Sequence, residues 1–266
     1  MFDPSIPNAV VYNEEMLKPL IDKLFFADKV DDATVFVDYG CANGVMLGAM
    51  RMLFPSHTYI GFDISEAMLV EARKTVQGVT FTSDWAEVQK LCVDAKAKGK
   101  KNCLILSSVI HEVRNYASEE DLAVFWQRVW GDQTFSFDVI AIRDMMVNRA
   151  TSRPSDPLSV ARIRQIYDSD RLTQWERQWG SISENWSLTH FLLTFRYTTN
   201  WTREIKENYL PVSLEDFLSS IPKRYIPTYE EHFVLPFLRR EVRRHFRIGM
   251  PDATHIKLIL EREDVW

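Results

Sequence analysis

Along the chain, apolar positions alternate between a helical and a strand-like period. Residues 13–26 place Met16, Leu17, Leu20, Ile21 and Leu24 at helical spacing behind Asn13, a capping residue. Residues 34–38 are a short β-branched and aromatic run, followed by a glycine-bearing turn and an amphipathic stretch through Leu53. The same sequence of strand and helix then recurs. Strand 58–63 leads to a helix at 66–76 capped by Ser65, and strand 79–83 leads to a helix from Trp85 toward Lys96. Strand 103–107 precedes a helix opened by Ser118, with Glu119, Glu120 and Asp121 in its first turn, where the helix dipole favours acids. Residues 137–142 make a fifth strand. Short strands joined by amphipathic crossovers predict an α/β fold with a doubly wound, mostly parallel sheet.

The alternation stops after Met146. Arg153, Pro154, Ser155, Asp156 and Pro157 read as a turn-rich linker, and residues 159–180 and 188–209 then read as two helices. A strand at 225–233, a helix at 235–246 and a strand at 254–261 close the pattern. The predicted organisation is an N-terminal helical cap (1–30), a sheet domain (31–146 and 222–266) and a helical insertion (147–221) before the last strands.

Composition narrows the class of partner. A formal net charge of -5 and a pI near 5.7 exclude a protein that holds nucleic acid by bulk charge, leaving only a local basic patch to consider. Cys41, Cys92 and Cys103 are too few and scattered for a disulfide framework or a zinc site, so no metal and a reducing, cytoplasmic setting are expected. No basic region followed by an apolar run opens the chain, and no stretch is long and apolar enough to span a bilayer, so neither a secretory leader nor a membrane partner is expected.

The most informative segment is Val35-Phe36-Val37-Asp38-Tyr39-Gly40-Cys41-Ala42-Asn43-Gly44. An acid ends the strand, and glycines at the helix entry let a ligand lie against bare backbone. The spacing Gly40, Gly44, Gly48 differs from the G-x-G-x-x-G of a pyrophosphate cradle. A glycine turn in some other α/β protein fits the segment as well. The segment resembles the first motif of class I S-adenosylmethionine (SAM) dependent methyltransferases, acid-x-Gly-x-Gly-x-Gly, with Ala42 in place of the middle glycine. The resemblance implies a Rossmann-like fold in which Asp38, Gly40, Cys41, Ala42, Asn43 and Gly44 cradle the methionine portion of SAM.

Two further strand ends extend it. Asp63, in Gly61-Phe62-Asp63-Ile64-Ser65, follows the first turn by about twenty residues, where a carboxylate can accept both ribose hydroxyls. The family likeness implies that role for Asp63, adenine packing for Ile64 and a cofactor contact for Met68. The alternative for Asp63 is helix-entry capping, for which Ser65 is better placed. After the third strand, the likeness implies that Asp84 accepts the adenine amine and that Trp85 offers its ring face; a surface aspartate beside a core tryptophan is the alternative. The resemblance covers approximately residues 30–145.

Methyl transfer from a sulfonium is an in-line displacement, and a base is needed when the nucleophile carries a proton. Leu106-Ser107-Ser108-Val109-Ile110-His111-Glu112 is similar to a Ser-x-x-x-His stretch that borders the methyl group in many methyltransferases. This implies a cofactor-lining Ser107 and makes His111 the candidate base or orienter, with Glu112 either as its partner or as a helix-turn acid; a histidine bonded only to backbone is the alternative. Arg143-Asp144, ending the fifth strand, reads equally as a salt bridge or as a contact to an anionic substrate. No Asn-Pro-Pro-Tyr or Asp-Pro-Pro-Tyr run, as in exocyclic-amine methylation of bases, and no Pro-Cys pair for cytosine is present.

The remaining substrate candidates are Tyr12 and His190, within an aromatic set that includes Trp175, Trp179, Trp186, Phe191, Arg196 and Tyr197 and serves either as a lid or as the insertion's own core. Arg240, Arg243, Arg244 and Arg247 share a helix face able to grip phosphates, or to pair with Glu230, Glu231 and Glu241. The leading expectation is a SAM-dependent transferase of methyl to oxygen or nitrogen of a small or medium-sized acceptor. The runner-up is an RNA or nucleotide methyltransferase. A third reading, a partner subunit that has lost catalysis, is opposed by the intact acids Asp38, Asp63 and Asp84. The acceptor and the oligomeric state stay open.

Overall fold

A computed structural model describes residues 20–30, 34–132 and 134–263. The helix expected at 13–26 is therefore described only from Leu20, as the short α1 (Leu20–Lys23). Tyr12 lies outside the described residues.

Two compact units are present. The first comprises the described residues up to Asp144, Pro222–Glu231, and those from Lys257 onward. It alternates β1 (Val35–Tyr39), α2 (Val45–Leu53), β2 (Thr58–Phe62), α3 (Glu66–Thr75), β3 (Thr80–Thr82), α4 (Trp85–Lys96), β4 (Asn102–Ser107), α5 (Ile110–Tyr116), α6 (Glu119–Trp130) and β5 (Val139–Met145). The strands join a 7-stranded sheet with the order β3-β2-β1-β4-β5-β7-β6, where β6 is Tyr225–Phe233 and β7 is His255–Arg262. This is the mostly parallel α/β sheet expected from the alternation.

β1 pairs in parallel with β2 on one side and β4 on the other, so the crossovers leave in opposite directions from its carboxyl end. Such a switch point opens a crevice for a ligand. All five residues of β1 are buried, as a strand covered on both faces requires. β7 alone of these strands runs against the others. Met146 N–H donates to Thr254 O and Arg262 N–H to Asp138 O, which is antiparallel register between the β5 segment and β7; Thr254 to Phe233 and Glu263 to Arg224 repeat it between β7 and β6.

The helix starts are legible in local chemistry. Ser65, Asp84 and Ser118 each accept a backbone N–H from the first turn of α3, α4 and α6. α6 carries Glu119, Glu120 and Asp121 in that turn, as its sequence predicts.

The second unit is Met145–Ile221 with His232–Ile256. Residues 147–221, the stretch set apart by the loss of alternation, lie in it. Where two helices are expected, there are α7 (Pro157–Ile166), α8 (Ser169–Trp179), α9 (Asn185–Thr194) and α10 (Trp201–Glu204), and α11 (Leu214–Ser220) follows them. The correction has local causes. Asp156 and Asp168 each accept two N–H groups as fresh N-caps, and Gly180 ends α8 at φ +84. α12 (Pro236–Phe246) buries Leu238, Val242 and Phe246. These join Trp175, Phe191, Phe195 and Leu192 in the unit's own core. Among the described residues no helix is long and apolar enough to cross a membrane.

Candidate active site

The turn after β1 is held open to a ligand by its backbone. Gly40, Ala42 and Gly44 have φ of +77, +47 and +72, a left-handed run that bends the chain away from the strand before α2 begins. A Cβ on Gly44 would lie 2.6 Å from the Phe81 ring, so the position requires glycine for space as well as conformation. Ala42 adopts the same region with a side chain, which costs about 1 kcal/mol. Gly40 and Cys41 both donate N–H to Phe62 O, at 2.8 and 3.1 Å, and this clamps the turn to the end of β2.

Asp63 locks the other side. Its Oδ2 accepts Ala42 N–H and its Oδ1 accepts Ser65 N–H, each at 2.8 Å. A carboxylate has about four lone-pair sites, so about two remain for hydroxyl donors. Burial raises the Asp63 pKa against these two bonds. Asp38, 4% exposed, is pushed by burial up to about 7, with Lys23 opposing and Asp63 adding to the rise. Lys23 is itself buried and is pushed down to about 8 by burial and then by Arg143, opposed by Asp38, Glu112 and Asp144.

The carboxyl ends of β4 and β5 carry a second constellation. His111 is buried at the start of α5, and its Nδ1 is 2.7 Å from Asp144 Oδ1. Asp144 Oδ2 accepts the Ile110 N–H at 2.7 Å. Next to it, Arg143 donates from Nε to Asp22 at 3.0 Å and from Nη1 to Ser108 Oγ at 2.7 Å. Ser108 presents that oxygen from a φ of +60, a strained conformation of the kind found at functional sites.

This chain resembles proteins of known activity in part of its length. No family model matches it. A trans-aconitate 2-methyltransferase from Acidovorax sp. (strain JS42) is 46% identical over 54 residues, 19% of this chain and 21% of the relative; the counterpart from Acidovorax ebreus (strain TPSY) matches to the same extent. The chain thus spans about a fifth of the length of the curated relatives it matches. Among solved structures, the methyltransferase domain of bacterial CtHen1-C superposes with a TM-score of 0.50 over 92% of this chain and 97% of its own, at 11% identity. The fold is that of SAM-dependent methyltransferases. A SAM-dependent methyltransferase from Anabaena variabilis ATCC 29413 has a TM-score of 0.48 over 91% and 83% of the two chains, at 13% identity.

On this methyltransferase fold the residues singled out from the sequence have different fates. Asp38, Gly40, Cys41, Ala42, Asn43, Gly44 and Asp63 gather around one turn. Ile64 is 71% exposed beside Asp63, an apolar side chain open to a flat ring. Met68 is half-buried in the first turn of α3, and its N–H donates to Ser65 Oγ. Asp84 is exposed and caps α4 by accepting Ala86 N–H at 2.9 Å. Trp85 is a correction: it packs against Tyr39, Phe62 and Phe137, with the Arg128 guanidinium 5.5 Å from its ring centroid. Its faces belong to the core.

Glu112 lies near His111, their ligand atoms within 4.8 Å. The hydrogen-bond partner of His111 Nδ1 is Asp144, which comes from a strand thirty-three positions away in sequence and carries no local signal linking it to the histidine. His190 is also a correction. It is wholly buried in the second unit, boxed by Trp175 and Trp179 at ring distances of 4.7 Å and by Trp186 at 5.1 Å. Burial pushes its pKa down to about 3, so it is a neutral core residue. The arginine face differs as well. Arg239, Arg243 and Arg247, with His232, line an open cavity of about 630 Å³, while Arg244 approaches Glu241 and Glu231 pairs with Lys257.

Proposed function

We propose that this chain is a SAM-dependent methyltransferase that moves a methyl group to oxygen or nitrogen of a small or medium-sized acceptor. The observation that carries the reading is the left-handed turn at Gly40–Gly44 tied through Ala42 to the Asp63 carboxylate. Its residues fit the cofactor. The bare backbone admits the methionine portion, the lone pairs of Asp63 not used by backbone accept ribose hydroxyls, and Ile64 covers one face of the adenine. Bound SAM supplies an electrophilic methyl on a sulfonium.

The chain's own part is positioning and proton transfer. Asp144 orients the His111 ring through Nδ1, and His111 is the group we assign to take a proton from the acceptor. The low-dielectric surroundings of the buried pair keep its geometry fixed before reaction. Three buried free thiols fit a reducing, cytoplasmic setting.

Calorimetric titration with S-adenosylhomocysteine (SAH) tests the reading. Micromolar-range affinity, on the order of 8 kcal/mol, is the expected result. Tight NAD binding with no SAH binding would sink it. Labelled-methyl transfer from SAM into a small-metabolite extract, but not into RNA or DNA, is the matching expectation for the acceptor.

A further inference from the structure

Two buried polar atoms at the carboxyl end of the sheet take no part in the scheme above. Ser107 on β4 and Arg143 on β5 are register partners, so their side chains leave the same face of the sheet. Arg143 is 4% exposed, and its Nη2 is buried with no hydrogen-bond partner. Ser107 Oγ is buried and unpartnered as well. A buried donor without an acceptor is costly, and more so on a charged group. Two of them at paired positions, beside a dyad suited to proton transfer, ask for one ligand with two acceptor oxygens.

The chemistry of that ligand follows from the donors. A guanidinium N–H and a hydroxyl both donate to an anion, and the guanidinium edge matches a planar carboxylate. Asp22 already meets one edge of Arg143, so the remaining charge suits a single negative charge better than a doubly charged phosphate. Lys23 adds a second cation close enough to be felt by Arg143.

The sheet order indicates whose carboxylate it is. The cradle and Asp63 lie at β1 and β2, whereas Ser107 and Arg143 lie on β4 and β5, on the side of β1 that supplies His111 and Asp144. Neighbouring strands are about 4.8 Å apart, which sets β5 roughly two strand spacings from the cradle. The donors therefore stand on the side of the base.

We propose that Ser107 and Arg143 form a carboxylate subsite for the methyl acceptor, which makes the acceptor a carboxylic acid. This rests on the methyltransferase reading and moves Ser107 from the cofactor to the acceptor.

The test uses the full chain saturated with SAH and titrated calorimetrically with trans-aconitate, and with its trimethyl ester as the uncharged control. Binding of the acid but not the ester is expected, and Ser107→Ala and Arg143→Lys should each weaken it about tenfold or more, the loss of a hydrogen bond to a charged group. SAH affinity should stay within about twofold in Ser107→Ala, which touches no ion pair and guards against misfolding of the arginine variant. Equal binding of acid and ester, no binding of either, or unchanged affinity in both variants overturns the subsite while SAH binding stands. Loss of SAH affinity in Ser107→Ala, with 5′-methylthioadenosine affinity unchanged, overturns it by assigning the donors to the cofactor's own carboxylate. Failure of the wild-type chain to bind SAH is a separate result that removes the methyltransferase reading itself.

Discussion

His111 Nδ1 and Asp144 Oδ1 are 2.7 Å apart, and the second oxygen of the same carboxylate holds the Ile110 N–H at 2.7 Å. One side chain on β5 thus fixes both the ring and the backbone turn that carries it. An ionised Asp144 favours the tautomer that carries its proton on Nδ1.

If His111 takes a proton from the acceptor, His111→Ala lowers turnover about a hundredfold or more. Asp144→Asn should fall by a similar factor, because an amide nitrogen facing Nδ1 favours the opposite tautomer. SAH affinity should stay near wild type in both. Steady-state kinetics paired with calorimetry checks this, and unaffected turnover in His111→Ala would mark the histidine as structural.

Asp63 should dominate cofactor affinity. Asp63→Ala removes the acceptor for both Ala42 N–H and Ser65 N–H, each at 2.8 Å, together with the remaining lone pairs. The SAH dissociation constant is expected to rise by about tenfold or more, equivalent to about 1.4 kcal/mol. An unchanged constant by calorimetry would remove the carboxylate from the site.

The turn predicts opposite effects at two neighbouring positions. Gly44→Ala places a Cβ 2.6 Å from the Phe81 ring at φ +72 and should destabilise the fold by about 2 kcal/mol. Ala42→Gly relieves a left-handed φ of +47 with no such contact and should be neutral or stabilising by up to about 1 kcal/mol. Chemical denaturation of the two variants measures the difference.

Acid should act on the two units with opposite sign. Asp38 has a folded pKa raised to about 7, so between an ordinary aspartate value and 7 the folded state holds the extra proton and stability falls as pH rises. His190 has a folded pKa lowered to about 3, so between 3 and an ordinary histidine value the unfolded state holds the extra proton and stability falls as pH drops. Hydrogen exchange from pH 7 to pH 4 should therefore show weaker protection around α9, and Asp38→Asn should flatten the response of β1. A parallel loss in both places would contradict these assignments.

Much of the first unit was written locally. The strand-helix alternation, the caps Ser65 and Ser118, and the Asp38–Gly44 turn each depend on neighbours in sequence, because hydrogen bonds of turns and first helical turns reach only a few residues. Asp63 was legible for the same reason, since a strand end opposite a glycine turn has one place to go. Tertiary structure alone decided what contacts across the sheet determine. It gave His111 a buried partner from β5, Asp144, turned Trp85 into the core, and shut His190 inside a tryptophan box. It also placed Ser107 and Arg143 side by side on neighbouring strands. Burial and pairing between distant segments depend on how the strands are ordered, and a one-dimensional pattern carries the period of each strand but not its neighbour.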